Sequence, residues 1–460
     1  MSKLNVGFGS VVINPEMGAP LFGYYVPRFA KGILDDLTAS ALALKVDNKT
    51  VVMISVDNCG LNRAFVERAS EEIFKNTGIS KNNLFISSTH THTAPFAQMG
   101  DAFEMDEAVV KRYADFLVVK LVEAIKIALS DFKEARVGFA IGRAPDRIAY
   151  IRRYKMKDGS TMTCPPVNDP NIDYPLGTLD QRVNVVRIDR EEGESIILVN
   201  YGLHADTIGG ELISADWIHW VKKTLDLSLG GVQTMCFVGA QGDVGSTNVY
   251  PTKSDMNDTE ISFDNEMKSP GMARFVGRAL AGTVLQLYDK VEYMDEVDID
   301  IVERVLRVPA NLPKKEDMPR AREYKALHDS GRDDLIPFEA MELTTVVAEA
   351  IRMCRMENGP EYYDLHFSGV KIGNIAFIGI PGEPFTEIGV AIKKIPGWDM
   401  ICPTINTNGK EGYFPSLSAF DEGGYEARTS PYTRTVCDDI VACAKEILDT
   451  LQNVDLRIKG

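Results

Sequence analysis

Short runs rich in β-branched and aromatic residues alternate along this chain with longer amphipathic runs, and that alternation restricts it to an α/β fold. Residues 50–56, 83–88, 195–201, 233–238, 374–380 and 399–405 read as strands, each an apolar run closed by turn residues. Residues 62–76, 106–131, 214–229, 272–288, 383–394 and 431–451 carry apolar side chains at helical spacing. Ser214 and Ser430 are placed as N-caps and Gly230 as a stop. Such an order builds mixed or parallel β-sheets flanked by helices, a layered α/β sandwich. No fixed-period repeat and no Pro/Gly/Ser linker divides the 460 residues. We therefore expect one large domain over residues 1–452 and a short tail at 453–460. The polar segment 251–270 is too long for an ordinary connection and reads as a lid or, more simply, a solvated surface loop.

Composition narrows the partners. The formal net charge is -16 with no basic cluster, which argues against nucleic acid and against an anionic membrane surface, since both require a Lys/Arg stripe. No stretch approaches the roughly 20 uninterrupted apolar residues of a membrane span. The start, "MSKLNVGFG", is not a basic-then-apolar leader. The 7 cysteines are scattered and never spaced as CxxC, so neither a disulfide framework nor a thiolate zinc site is expected, and a reducing cytoplasm fits.

In α/β sheets ligands gather at the carboxyl ends of strands. Here five strands run into polar, Gly-rich segments: "SSTHTHTAP" after 83–88, "VNYGLHAD" at the end of 195–201, "VGAQGDVGSTN" after 233–238, "PGEPF" after 374–380 and "NTNGKEGYFP" after 399–405. Several apolar strands each delivering His, Asp or Glu at the same end imply one site assembled from distant segments.

His90 and His92 are two residues apart, so an extended backbone would place them on one face, about 6–7 Å apart along the strand. In that arrangement one can hold a metal while the other reaches a substrate or supports the first. His204 taken alone is as well explained by a core histidine bonded to backbone. Glu383, between Pro-Gly and Pro, reads equally as a first-turn carboxylate favoured by a helix dipole. Asp243 sits in a Gly-rich turn where an Asx-turn is as ordinary as catalysis. Asp216 either orients the His204 imidazole or caps a helix. His219, His328 and His366 read as packing or solvated surface.

The segments "VGFGSVVINPEMGAPLFGY", "SSTHTHTAP", "IRRYKMKDG", "VNYGLHAD" with "SADW", "GAQGDVG", "PGEPF" and "GGYEA" occur in an order and spacing that resembles the catalytic domain of the neutral/alkaline, non-lysosomal ceramidases, over nearly the whole chain. The resemblance implies a zinc-dependent hydrolase that cleaves an amide (N-acyl) bond with a metal-activated water and holds one Zn2+ per chain. By that resemblance His90, His204, Glu383 and Tyr425 are the metal ligands. His92 stands beside the reacting centre as the acid that protonates the leaving amine, and Arg152 and Tyr432 are the oxyanion donors. Arg153, neighbour of Arg152 in a motif where Ile151 replaces the usual Asn, is placed at the substrate with Asp243 and Ser246.

Two departures bear on mechanism and substrate. The family carries a Ser in a GDVSPN block that has been proposed as a nucleophile, whereas this chain reads "GDVGSTN", with Gly245 in that place and Ser246 one step later. That favours metal-activated water over covalent catalysis. The chain also ends without the family's C-terminal β-sandwich and starts without a leader, so a small N-acyl compound is expected rather than ceramide. The alternatives are a zinc hydrolase of an ester, lactone or carbohydrate derivative, and a non-catalytic metal-binding homologue.

Overall fold

Residues Thr38–Val46, TASALALKV, show how the layers form. The strand is buried on both faces: Ala39, Ala41 and Ala43 pack with the helices Arg63–Thr77 and Glu107–Ser130, while Leu42 and Leu44 point the other way, against a second sheet. Small residues on one face let a helix lie close, and larger ones on the other fill the space between sheets. The computed structural model describes residues 3–458, with side chains to residue 453.

The larger, 9-stranded sheet runs in the order Val232–Val238, Ser195–Tyr201, Arg182–Arg190, Lys133–Arg143, Asn5–Val12, Thr38–Val46, Lys49–Val56, Leu84–Ser88, with Glu292–Tyr293 added on Lys133–Arg143. The smaller, 4-stranded sheet is Ile299–Pro309, Tyr362–Ile372, Ile375–Gly379, Met400–Thr404. Phe85, Phe237 and Phe377 interdigitate between the two sheets. Helices Trp217–Leu229 and Pro270–Tyr288 cover the remaining outer face of the large sheet, and Thr386–Lys393 and Val436–Ile458 cover the small one. The result is a four-layer mixed α/β sandwich in one domain, as expected from the alternation.

Within these two sheets most pairings are antiparallel; the parallel ones lie at the two edges of the large sheet, 49–56 with 84–88 and 195–201 with 232–238, and in the small sheet, 375–379 with 400–404. These three pairs meet. Ser55 Oγ donates to the Cys236 carbonyl at 2.7 Å, the Ile405 amide to the Val238 carbonyl at 3.0 Å, and the Asn408 amide to the Ile86 carbonyl at 2.8 Å. Six carboxyl-terminal strand ends therefore open into one place.

All six expected strands form within a residue or so of their expected bounds. Helix starts differ more. The expected 214–229 helix begins at Trp217, capped by the Asp216 side chain, while Ser214 Oγ accepts from the Asp216 amide. Gly230 ends it with φ 72°, as expected. The expected 383–394 helix begins at Thr386, because Glu383–Pro384 pairs as a short parallel strand with Tyr413–Phe414. Ser430 closes the short helix Tyr425–Thr429 rather than opening the last one, which starts at Val436 and continues through Ile458, into the segment expected as a tail. Residues 459 and 460 lie outside the described residues. The 251–270 segment is not a solvated loop throughout: its first half is a set of exposed turns, but Glu260–Ile261 and Met267–Lys268 form a hairpin whose Asp264, Glu266 and Lys268 are buried.

Asp180 ties the layers together. Its carboxylate accepts from the Arg182 amide and guanidinium at the start of a large-sheet strand and from Lys393 Nζ, at 2.9 Å, on a helix over the small sheet. Burial pushes its pKa up, but Arg182 and Lys393 outweigh that and hold it at about 2. A depressed carboxylate contributes stability that is present above its unfolded pKa and is lost as pH falls through the folded one. Asp180→Asn is expected to lower unfolding free energy by about 1–2 kcal/mol at pH 7, after discounting for partial exposure. The difference between the two proteins should shrink to nothing toward pH 2, read as urea midpoints across the range; a pH-independent difference would remove the ion pairs as its cause.

Candidate metal centre and its cavity

His90 follows strand Leu84–Ser88, but the backbone does not stay extended. His90 has φ 67°, and this turn brings the His90 and His92 rings together, Nε2 to Nε2 3.2 Å, instead of spacing them along a strand. The two loops are joined where the His92 amide donates to the Ala205 carbonyl at 3.0 Å, one residue past His204.

Three side chains then converge. His90 Nε2 is 3.0 Å and His204 Nε2 3.3 Å from the same oxygen, Oε2 of Glu383, and all three residues are buried. Their other ring nitrogens face carbonyls: His90 Nδ1 lies 2.6 Å from Cys59 O, and His204 Nδ1 lies 2.9 Å from Gln241 O and 3.1 Å from Val244 O. A carbonyl only accepts, so each Nδ1 carries the proton and each Nε2 lone pair points inward. His204 Nε2 is buried with no hydrogen-bond partner among the described residues.

This donor set fits a zinc ion. Bonds of about 2.0–2.1 Å in a tetrahedron place ligand atoms about 3.3–3.4 Å apart, close to the separations found. Burial, with the charge of Arg152, pushes the His204 pKa well below 6.5 and keeps that ring neutral. Glu383 is held far below the usual carboxylate range, because His90 and His204 outweigh the burial that would raise it. At His90 burial acts downward but Glu383 wins and raises the ring to about 10, so a cation and a proton compete for the same place.

His92 is the third ring of the cluster, with its centroid 4.8 Å from His90 and 5.8 Å from His204. Its Nδ1 is 3.2 Å from Asp206 Oδ2. Asp206 is held in turn by Tyr24 and by Lys268, whose Nζ lies 2.9 Å from Asp206, 3.1 Å from Asp264 and 3.0 Å from Glu266. The three carboxylates are close enough to hold a metal, but the buried ammonium of Lys268 already supplies the cation. Gly23 leaves room for His92: a Cβ there would come within 2.6 Å of His92 Cγ.

A cavity of about 430 Å³ opens onto the centre, lined by His90, His92, Glu383, Tyr425, Tyr413, Tyr24, Tyr25 and Tyr363, with Phe22 and Phe96 on one wall. Tyr425 is thus beside the centre, its ring 5.6 Å from that of Tyr413. Tyr432 forms part of the wall, but it is stacked on Phe414 and its hydroxyl donates to the Glu411 carbonyl at 2.7 Å.

The other expected residues stand behind the cavity. Arg152 donates through Nε to Glu426 at 2.7 Å and through Nη2 to the Gly242 carbonyl at 2.9 Å and the Tyr413 hydroxyl at 3.1 Å. Arg153 donates to Glu422 and to the Gly423 carbonyl, fixing the Gly423–Gly424 turn that precedes Tyr425. Asp243 accepts from the Thr386 amide and hydroxyl at 2.7 and 2.9 Å and so caps the helix after Glu383. Ser246 lines a separate cavity with Arg147, Asn248 and Asp255. Asp216 caps its helix and holds Thr207 and Ile208; the His204 ring nitrogens face Gln241, Val244 and Glu383 instead, while Trp217 Nε1 donates to the His204 carbonyl. Tyr413 is the site residue that sequence reasoning did not single out. It pairs with Glu383 in the short parallel strand, stacks on His204 at 6.5 Å, and lies in the quoted "NTNGKEGYFP" segment, where its position after a Gly was the available signal.

Buried ligand-type side chains meeting at the carboxyl ends of parallel strands make this a candidate metal centre of the open α/β type. No protein-family model and no curated protein sequence matches the chain. Among solved structures it is similar to the neutral ceramidase of Pseudomonas aeruginosa, with TM-score 0.72 and 15% identity over 99% of this chain and 75% of that one. A ceramidase complexed with C2 is matched at TM-score 0.72 and 14% identity, over 98% of this chain and 76% of that one. The chain has the neutral ceramidase fold.

Proposed function

We propose that this chain is a zinc-dependent hydrolase of an amide (N-acyl) bond, acting on a molecule smaller than ceramide. The observation that carries the reading is the convergence of His90 Nε2, His204 Nε2 and Glu383 Oε2 beside a cavity that His90 and Glu383 line. These three would hold the ion, with Tyr425 as a fourth, weaker ligand. Zinc bound by such a set supplies Lewis acidity toward a carbonyl and acidifies water to near neutrality.

The protein's own groups account for the rest. His92, neutral because burial and the charges of His90 and Lys268 hold its pKa well below 6.5, can take a proton and pass it to the leaving amine. Asp206 steadies the imidazolium formed meanwhile. Tyr413, whose hydroxyl oxygen accepts from Arg152, is the better placed oxyanion donor, since the Tyr432 hydroxyl is engaged by Glu411. Such a donor is typically worth about 3–4 kcal/mol. Arg152 then acts through Tyr413, and Arg153 through the turn before Tyr425. Ser246 lines a different cavity, which supports activated water over a serine nucleophile. A cavity of about 430 Å³ suits a compact acyl compound better than one with two long chains.

Among the described residues no helix is long and apolar enough to cross a membrane. The seven cysteines, none of them disulfide-bonded, are the support for a reducing compartment such as the cytoplasm. The test is metal content by mass spectrometry together with turnover of N-acyl and ester panels before and after chelation. About one zinc per chain, with amide turnover lost on chelation and restored by zinc, is the expected result. A gently purified protein without metal would favour a different reading of the cavity.

A further inference from the structure

The cavity wall carries Lys410. Its side chain lines the cavity, half-buried, yet among the described residues its ammonium makes no ion pair and no hydrogen bond. In a chain of net charge -16 a cation in that state stands out. Its stem lies against Gly60, where a Cβ would come within 2.2 Å of Lys410 Cδ, and its Nζ sits 4.6 Å above the Phe22 ring. Phe22 is itself stacked on Phe96 at 4.1 Å.

Neither neighbouring charged group pairs with it. Arg355, which lines the same cavity, is paired with Asp101 at 3.1 Å. Glu411 faces the same cavity, where burial raises its pKa and Lys410 acts the other way, but its carboxylate forms no ion pair with the ammonium. Lys410 is therefore a positioned positive charge looking for an anion. Its place is informative, because Phe22, under the ammonium, is followed directly by Gly23, against which the His92 ring packs. Through Phe22 and Gly23 the charge adjoins the wall that carries His92, the residue proposed above to protonate the leaving amine.

We propose that the substrate carries a carboxylate on its leaving-group side, as in an N-acyl amino acid, and that Lys410 receives it. This rests on the hydrolase reading above and adds the substrate class. An aromatic wall with one unpaired cation suits an apolar acyl compound bearing a single negative charge.

The test uses the zinc-loaded full chain with N-octanoylglycine, its uncharged partner N-octanoylglycinamide, N-octanoyltaurine and N-octanoyl-O-phosphoethanolamine. The parent should prefer the glycine compound over the glycinamide by about tenfold to a hundredfold in kcat/KM, mostly through KM. Lys410→Met should bring that ratio close to one, and Lys410→Arg should restore part of it. Equal use of glycine and glycinamide by the parent, or an unchanged ratio in Lys410→Met, overturns the inference. Preference for the phosphate compound alone overturns the choice of carboxylate. Calorimetric binding of N-octanoylglycine separates the two claims: binding that weakens about tenfold in Lys410→Met without any hydrolysis upholds the anion site and defeats the hydrolase reading.

Discussion

His204→Ala is expected to yield a folded protein that retains no zinc and has lost at least about 10³-fold in turnover, or some 4 kcal/mol of transition-state stabilisation. His204 is buried at 2% exposure, and its Nε2 has no protein partner other than the approach to Glu383 Oε2 at 3.3 Å. Removing the ring leaves one imidazole, one carboxylate and the weak Tyr425 phenol, a set with too little donor strength to retain zinc. It also takes the His204 donor from the Val244 carbonyl, at about 1–3 kcal/mol for an unsatisfied buried group, which water entering the vacated space reduces, while the Gln241 carbonyl keeps the Val244 amide. That cost is within reach of a domain of this size, so circular dichroism and a thermal scan should still report a folded chain. His204→Asn serves as a second variant, because its amide can still donate to those carbonyls while offering no imidazole. Stoichiometric zinc and retained turnover in both proteins would sink the ligand assignment.

How much of this was legible beforehand depended on whether a feature was local. The apolar strands 195–201 and 233–238 are buried on both faces and carry their own signal, so they fall where periodicity places them. Thr38–Val46 was not read as a strand, because Ala and Leu favour helix in isolation; its Ala face exists to accommodate a helix, which is tertiary information. The same division holds for the site. His90, His204 and Glu383 were visible as polar residues at strand ends, and the resemblance named them together. Their approach to within 3.3 Å depends on two sheet edges meeting through Ser55 and Cys236, which no local pattern encodes. The spacing of His90 and His92 was misjudged because the left-handed backbone at His90 cannot be inferred from a β-rich neighbourhood. Lys268 lies in a segment that reads as polar surface, and only the hairpin folding inward turns it into the buried partner of Asp206. Tyr413 was passed over for a related reason, since its value lies in whom it pairs with across the sheet.

The second large effect should separate chemistry from metal binding. His92→Ala is expected to keep about one zinc per chain and to lose about 10²–10⁴-fold in amide turnover, the range of general acid–base catalysis. Geometry supports the split. His92 Nε2 lies 3.2 Å from His90 Nε2, near enough to reach the reacting centre, while its Nδ1 faces Asp206 rather than a backbone carbonyl. A ring between an acceptor carboxylate and the cavity is arranged to become charged briefly, whereas His90 and His204, each with Nδ1 on carbonyl oxygens, are arranged to stay neutral on a cation. The leaving group provides an internal control. An amide nitrogen must be protonated to depart, but a nitrophenolate need not be, so turnover of a p-nitrophenyl ester of the same acyl group should fall much less than turnover of the amide. Loss of zinc in His92→Ala would instead make His92 a ligand, in keeping with the proximity of Cys59, His90 and His92. Equal losses on amide and ester, with zinc retained, would move His92 from protonating the leaving group to activating the water.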